Sequence, residues 1–139
     1  MTIQEIENQI IDEFDNFDDW LDRYNYIIEM GKECPQIEES GKTDDNLIKG
    51  CQSKVWLDAK LEDGRIRFKG DSDAIITRGI VSLLIRVLDN QTPADILNAD
   101  LSFIEKIGLK EHLSPTRSNG LTAMIKQMKI YALAFQAKI

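Results

Sequence analysis

The sequence predicts an α+β fold: a small antiparallel sheet of about three strands, built on a central hairpin and packed against several helices. Three observations predict it. Lys54 to Glu62 alternates, with Val55, Leu57, Ala59 and Leu61 on one face and Trp56, Asp58, Lys60 and Glu62 on the other, the signature of a half-buried strand. Asp63-Gly64 follows, a strong two-residue hairpin turn, and Arg65 to Lys69 returns with Ile66 and Phe68 inward. Apolar residues recur at helical spacing on both sides of this hairpin, and helices, then a meander, then helices is an α+β order. At 139 residues, one domain spanning residues 1–139 is expected. A chain of this size buries about 68–70% of its unfolded surface, enough for a self-sufficient core.

Thr2-Ile3-Gln4-Glu5 reads as a capping box, and Ile3, Ile6, Ile10 and Phe14 carry the first helix. A second helix puts Trp20, Tyr24, Ile27 and Ile28 on one stripe, with Gly31 placed as its C′ residue. Cys34 precedes Pro35 and so belongs to an extended segment; it is expected to be lightly packed, or to be a resolving thiol for Cys51. An irregular polar run leads through Asn46 to a short strand at Leu47-Ile48. After the hairpin, Gly70-Asp71-Ser72-Asp73 ends the sheet and offers N-caps. The next helix runs from about Ala74 to Asp89 and buries Ile76, Ile80, Leu83, Leu84 and Val87. Thr92-Pro93 starts a short helix with proline in its first turn. Ser102 to Glu105 reads as a second capping box, closed by Gly108. Ser114-Pro115 opens a last helix to about Lys138, with Leu121, Met124, Ile125, Met128, Tyr131 and Phe135 inward.

A net charge of −7 argues against nucleic acid, whose phosphates are bound by clustered Lys and Arg. The early acidic residues, Asp12 to Asp22 and Glu38 to Asp45, read as a solvated face and an acidic loop. A sharper reading makes them a surface that steers a basic partner. No apolar run approaches the ~20 residues of a membrane span, and the N-terminus lacks a secretory pattern, so a cytoplasmic location is expected. Two cysteines and one histidine are too few for a four-ligand zinc site or a cluster scaffold.

The inventory leaves thiol chemistry open, and the stretch Gly50-Cys51-Gln52-Ser53 is where it points. A turn at the mouth of a sheet is reachable, unlike the interior where free cysteines behave as small hydrophobes. The thiolate is the reactive form. Lys49, Lys54 and Arg117 are candidate cations to favour it, Gln52 and Ser53 candidate donors, and Gly50 permits positive φ. A Gly-Cys before a strand is also an ordinary turn. A cysteine hydrolase needs a base, for which His112 is the sole histidine; a hydrolase or redox protein using Cys51 and His112 is the alternative to a single-thiol carrier.

The stretches Ile48-Lys49-Gly50-Cys51-Gln52-Ser53-Lys54-Val55-Trp56, Gly70-Asp71-Ser72-Asp73-Ala74, Thr92-Pro93-Ala94-Asp95-Ile96 and His112 to Leu121 together resemble the SufE family of sulfur acceptors, the cysteine desulfuration proteins that include CsdE. Pro115-Thr116-Arg117 stands where the family has Pro-Ser-Arg. The resemblance implies a fold like that of the IscU scaffolds, without their cluster ligands. It implies a persulfide carrier with no cofactor and no metal of its own, not an enzyme. Cys51 would take sulfur from a pyridoxal-phosphate cysteine desulfurase of the SufS type, stimulate that enzyme, and deliver to a SufBCD-type scaffold for iron–sulfur cluster assembly. It places Asp73 at the partner interface and Arg117 near the cysteine loop. A homodimer stays open.

Overall fold

The computed structural model describes residues 1–138. Helix α1 (Ile3–Phe14) starts on the expected capping box: the Thr2 hydroxyl accepts the Glu5 N–H, and the Glu5 carboxylate accepts the Thr2 N–H. Helix α2 (Trp20–Gly31) is capped by Asp19, which accepts the Asp22 N–H. Strands β1 (Val55–Glu62) and β2 (Arg65–Ser72) form the hairpin, in register from Val55 opposite Ser72 to Glu62 opposite Arg65. Asp63 and Gly64 both have positive φ, 52° and 79°, the turn geometry whose twist matches the strands. Helices α3 (Ile75–Leu88), α4 (Pro93–Asn98), α5 (Phe103–Lys106), α6 (Leu109–His112) and α7 (Pro115–Gln136) complete the chain.

The hairpin lays Val55, Leu57, Ile66 and Phe68 against α3, whose five expected inward residues are all buried. The long α7 adds Leu121, Met124 and Met128 to the same core. Ser114 caps α7 and Thr92 caps α4, each with proline in the first turn.

Several elements differ from expectation. The strand at Leu47-Ile48 contracts to one bridge, Leu47 to Trp56, leaving a two-stranded sheet. Strand β2 runs on through Gly70, Asp71 and Ser72, which are buried; Ala74, not Ser72 or Asp73, is the N-cap of α3 and makes no side-chain cap. Ser102 is already helical and caps nothing. Gly31 is a helical residue, not a left-handed C′. Its role is close approach: a Cβ on Gly31 would lie 2.9 Å from the Gly79 nitrogen, and one on Gly79 2.2 Å from the Ile27 carbonyl oxygen. The α2 and α3 backbones touch there. Cys34 is buried at 5% exposure, its thiol donating to the Gly70 carbonyl at 3.4 Å, so it is a core residue and not lightly packed. Among the described residues, no helix is long and apolar enough to cross a membrane.

Candidate functional site

Residues 49–53 form a short loop between the Leu47 bridge and β1. Its two ends are clasped. On one side the Ile48 N–H donates to the Val55 carbonyl at 2.8 Å. On the other, the Lys54 N–H donates to the Asp73 carboxylate at 3.0 Å, while the Lys54 carbonyl accepts from the Ser72 hydroxyl and the Asp73 N–H. Between the clasps the backbone groups of residues 49–53 make no hydrogen bond to other described residues. Gly50, at φ 94°, turns the chain through a conformation that a side chain would strain.

The turn sends the Cys51 side chain inward, half-buried, against the first turns of α7. Its thiol donates to the Gly120 carbonyl at 3.7 Å. Gly120 makes room for it: a Cβ there would lie 3.4 Å from the sulfur. Gln52, Ser53, Thr77, Ile80, Thr116, Arg117 and Met124 line the remaining space, about 10 Å³. Burial alone pushes the Cys51 thiol above its ordinary pKa. A neutral thiol, donating to a carbonyl, is the resting form at neutral pH.

The structure brings Cys51, Gln52, Ser53 and Arg117 to one small cavity, with Gly50 at the turn and Asp73 at the clasp. It does not bring in the expected support for a thiolate. The sulfur's hydrogen bond goes to Gly120, not to Gln52 or Ser53. Lys49, Lys54 and Arg117 do not contribute to its shift. His112 stacks on Trp20, ring centroids 4.4 Å apart, and its Nδ1 lies 2.7 Å from the Gly108 carbonyl; it does not line the Cys51 cavity.

Sequence reasoning missed Gly120, whose signal was a glycine inside a helical pattern where nothing else explained it. It also missed the anchor behind the loop. The buried Asp71 carboxylate accepts from Lys42 at 2.9 Å, Arg78 at 2.6 Å and the Ser72 N–H at 2.8 Å. Lys42 also lies over the Trp56 ring, 5.4 Å from its centroid. This ties the polar connection before Cys51 to the end of β2. Burial works to raise the Asp71 pKa, but the Lys42, Ser72 and Arg78 hydrogen bonds and charge hold it below the ordinary carboxylate range.

Cys34 and Cys51 are both free thiols. Burial, helped by the Asp71 charge, pushes Cys34 up to about 12, which leaves it inert as a nucleophile. Among the described residues, no group of three or more His, Cys, Asp or Glu side chains could hold a metal ion.

Fold and site define an α+β protein that presents one half-buried cysteine on a clasped loop beside a helix. Residues 8–132 match the SufE model, described as an Fe-S metabolism associated domain, and the chain belongs to the SufE family. It is 42% identical over 127 residues to a SufE-like protein of Rhizobium meliloti, covering 88% of this chain and 91% of that one. A SufE-like protein of Synechocystis is 39% identical over 128 residues, covering 92% and 80%. The solution structure of a hypothetical protein from Thermus thermophilus superposes at a TM-score of 0.76, with 21% identity over 93% and 94% of the two chains; that likeness speaks to the fold.

Proposed function

We propose that this protein is a persulfide carrier in iron–sulfur metabolism, working as one 1–139 domain with Cys51 as its sulfur acceptor. The supporting observation is the setting of Cys51: a half-buried thiol on a short loop clasped at both ends, with about 10 Å³ beside it. A hydrolase binds its substrate in a cleft, commonly roughly 300–1,000 Å³, and needs a base in reach of the sulfur. Here the sole histidine is engaged with Trp20 and Gly108. A carrier needs neither, because the chemistry is brought to it on another protein.

In this reading a SufS-type cysteine desulfurase in the cytoplasm offers a persulfide. Docking draws the loop outward, water reaches the sulfur, and the Cys51 pKa falls. The Cys51 thiolate attacks the outer sulfur of the donor persulfide. The donor's S–S bond breaks, its cysteine leaves as thiolate, and Cys51 holds the persulfide. Removal of that sulfur frees the desulfurase for another cycle, which is the stimulation. Delivery to a SufBCD-type scaffold repeats the exchange with Cys51 as leaving group. Gly50 is the hinge, Gln52 and Ser53 frame the sulfur, Asp73 clasps the loop and borders the docking face, and Arg117 steadies the anionic sulfur once the loop opens.

The test is intact-mass and peptide mass spectrometry after incubation with a desulfurase and free cysteine. One added sulfur on the Cys51 peptide is expected. Cys51→Ser should abolish the gain, Arg117→Ala should reduce it, and His112→Ala should leave it nearly unchanged. Sulfur acceptance by Cys51→Ser at the normal rate would sink the proposal, and collapse in His112→Ala would favour the hydrolase or redox alternative.

A further inference from the structure

Away from Cys51, a groove of about 300 Å³ lies between the start of α1 and the end of α4. It shares no lining residue with the Cys51 cavity, and the carrier reading makes no use of it. Its lining sorts by depth. Glu7, 1% exposed, is the buried end. Asp95, Asn98 and Asp100 are exposed at the rim, while Ile3 and Ala99 add apolar surface. No Lys, Arg or His is among the described residues that line it.

Glu7 marks this groove as a site. Its Oε2 is buried and has no hydrogen-bond partner. Buried polar groups are nearly always paired, and an orphan costs stability unless something satisfies it. At the rim, the Asp100 carboxylate accepts the Ser102 N–H, which holds it in place.

Three carboxyl groups with no base among them suit a cation. One metal ion does not fit, because among the described residues no three His, Cys, Asp or Glu side chains could hold one together. Charge carried at separate points does fit. An ammonium can meet Glu7 at the buried end, a second can meet Asp95 and Asp100 at the rim, and methylenes can pack on Ile3 and Ala99. The volume sits at the low end of the roughly 300–1,000 Å³ usual for small-molecule sites.

We propose that this groove binds a linear alkyl polyamine, with Glu7 taking its inner ammonium. The proposal stands independently of the carrier reading. Binding and protonation are linked at Glu7. Burial, then the Asp100 charge, raises its pKa against the pull of Lys106, and Asp95 shares the same groove from α4. An ammonium at Glu7 favours its carboxylate, so binding tightens as pH rises.

The test is titration calorimetry of the whole chain with spermidine, in about 0.15 M salt to screen diffuse attraction to a net negative protein. One saturable site is expected. Glu7→Gln keeps the shape of the side chain, and should bind spermidine about tenfold more weakly or worse, the scale of one charged hydrogen bond. Asp95→Asn, at an exposed position, should weaken binding several-fold. Wild-type affinity should rise from pH 5 to pH 7, and that of Glu7→Gln should rise less. Equal affinity in wild type and Glu7→Gln overturns the proposal, as does binding that never saturates. n-Butylamine, with one ammonium, should bind about tenfold more weakly than spermidine or worse. Equal binding of the two would overturn the polyamine and point to a lone ammonium, such as a lysine side chain. A desulfurase that failed to load Cys51 would sink the carrier reading and leave these results standing.

Discussion

Two residues of one type show how position decides chemistry. Cys34 and Cys51 are both free thiols, yet Cys34 is sealed under the end of β2 while Cys51 rests on a loop with little else to hold it. Neither is a thiolate at rest. In the carrier reading, only Cys51 has a route to becoming one. Glu7 is a different case, a charge-bearing residue buried beside a surface pocket. It is 1% exposed and its Oε2 has no hydrogen-bond partner. Burial first, and the nearby Asp100 charge second, raise its pKa, against the pull of Lys106. A raised carboxyl favours the protonated form in the fold. Stability from this group is therefore full at acid pH, where both states are protonated, and falls as pH rises through the folded pKa. Glu7→Met, of similar volume, should gain about 1–3 kcal/mol at pH 7, the usual cost of an unsatisfied buried polar group. The gain should shrink at pH 4 and below. Urea unfolding at both pH values checks it; a loss at pH 7 would contradict it.

Among the elements, α2 and α3 meet backbone to backbone. Gly79→Ala would put a Cβ 2.2 Å from the Ile27 carbonyl oxygen. Backbone cannot give way as a side chain can, so the helices must separate. The cost should be at least the about 1–3 kcal/mol typical of overpacking, read as a lower thermal midpoint. Gly120→Ala, on an equally regular helix, should show no such loss. This pair also marks where the sequence was legible. The hairpin, the α1 capping box, the proline-led starts of α4 and α7 and the apolar stripe of α3 were all readable, because each is a local pattern. Gly31 was readable only as a helix end, and Gly79 not at all, since close approach depends on a residue far away in the chain. Cys51 and Gly50 could be picked out by type and position, and Asp73 only through the family resemblance. What Cys51 bonds to could not, because Gly120 reaches it only through the packing of α7. The burial of Asp71 and Ser72 was hidden for a similar reason: polar residues at a strand end read as exposed until their partners are known.

Across the whole molecule, the buried Asp71 joins the polar connection, β2 and α3. Its depressed pKa means that it stabilises the fold above its unfolded pKa, near ~3.9, and that this contribution is lost as pH falls through the folded value. Asp71→Asn should cost about 1.5–3 kcal/mol at pH 7, the range for hydrogen bonds to charged groups. Wild type and variant should converge as the pH drops below the ordinary carboxylate range. Parallel acid titrations followed by circular dichroism check this; a constant gap down to pH 2 would contradict it. Glu13, bonded to Arg86 and Tyr26, is held low chiefly by the Arg86 hydrogen bond. It adds to the same acid sensitivity.

The clasps at Ile48–Val55 and Lys54–Asp73 have a further mechanical meaning. In the carrier reading they confine the swing to five residues while the strands on either side stay put, so each round trip leaves the sheet undisturbed. Wear on such a molecule would come in two separable kinds. Damage to the interior would shorten its lifetime without changing its pace, and damage to the swinging segment would change its pace without shortening its lifetime.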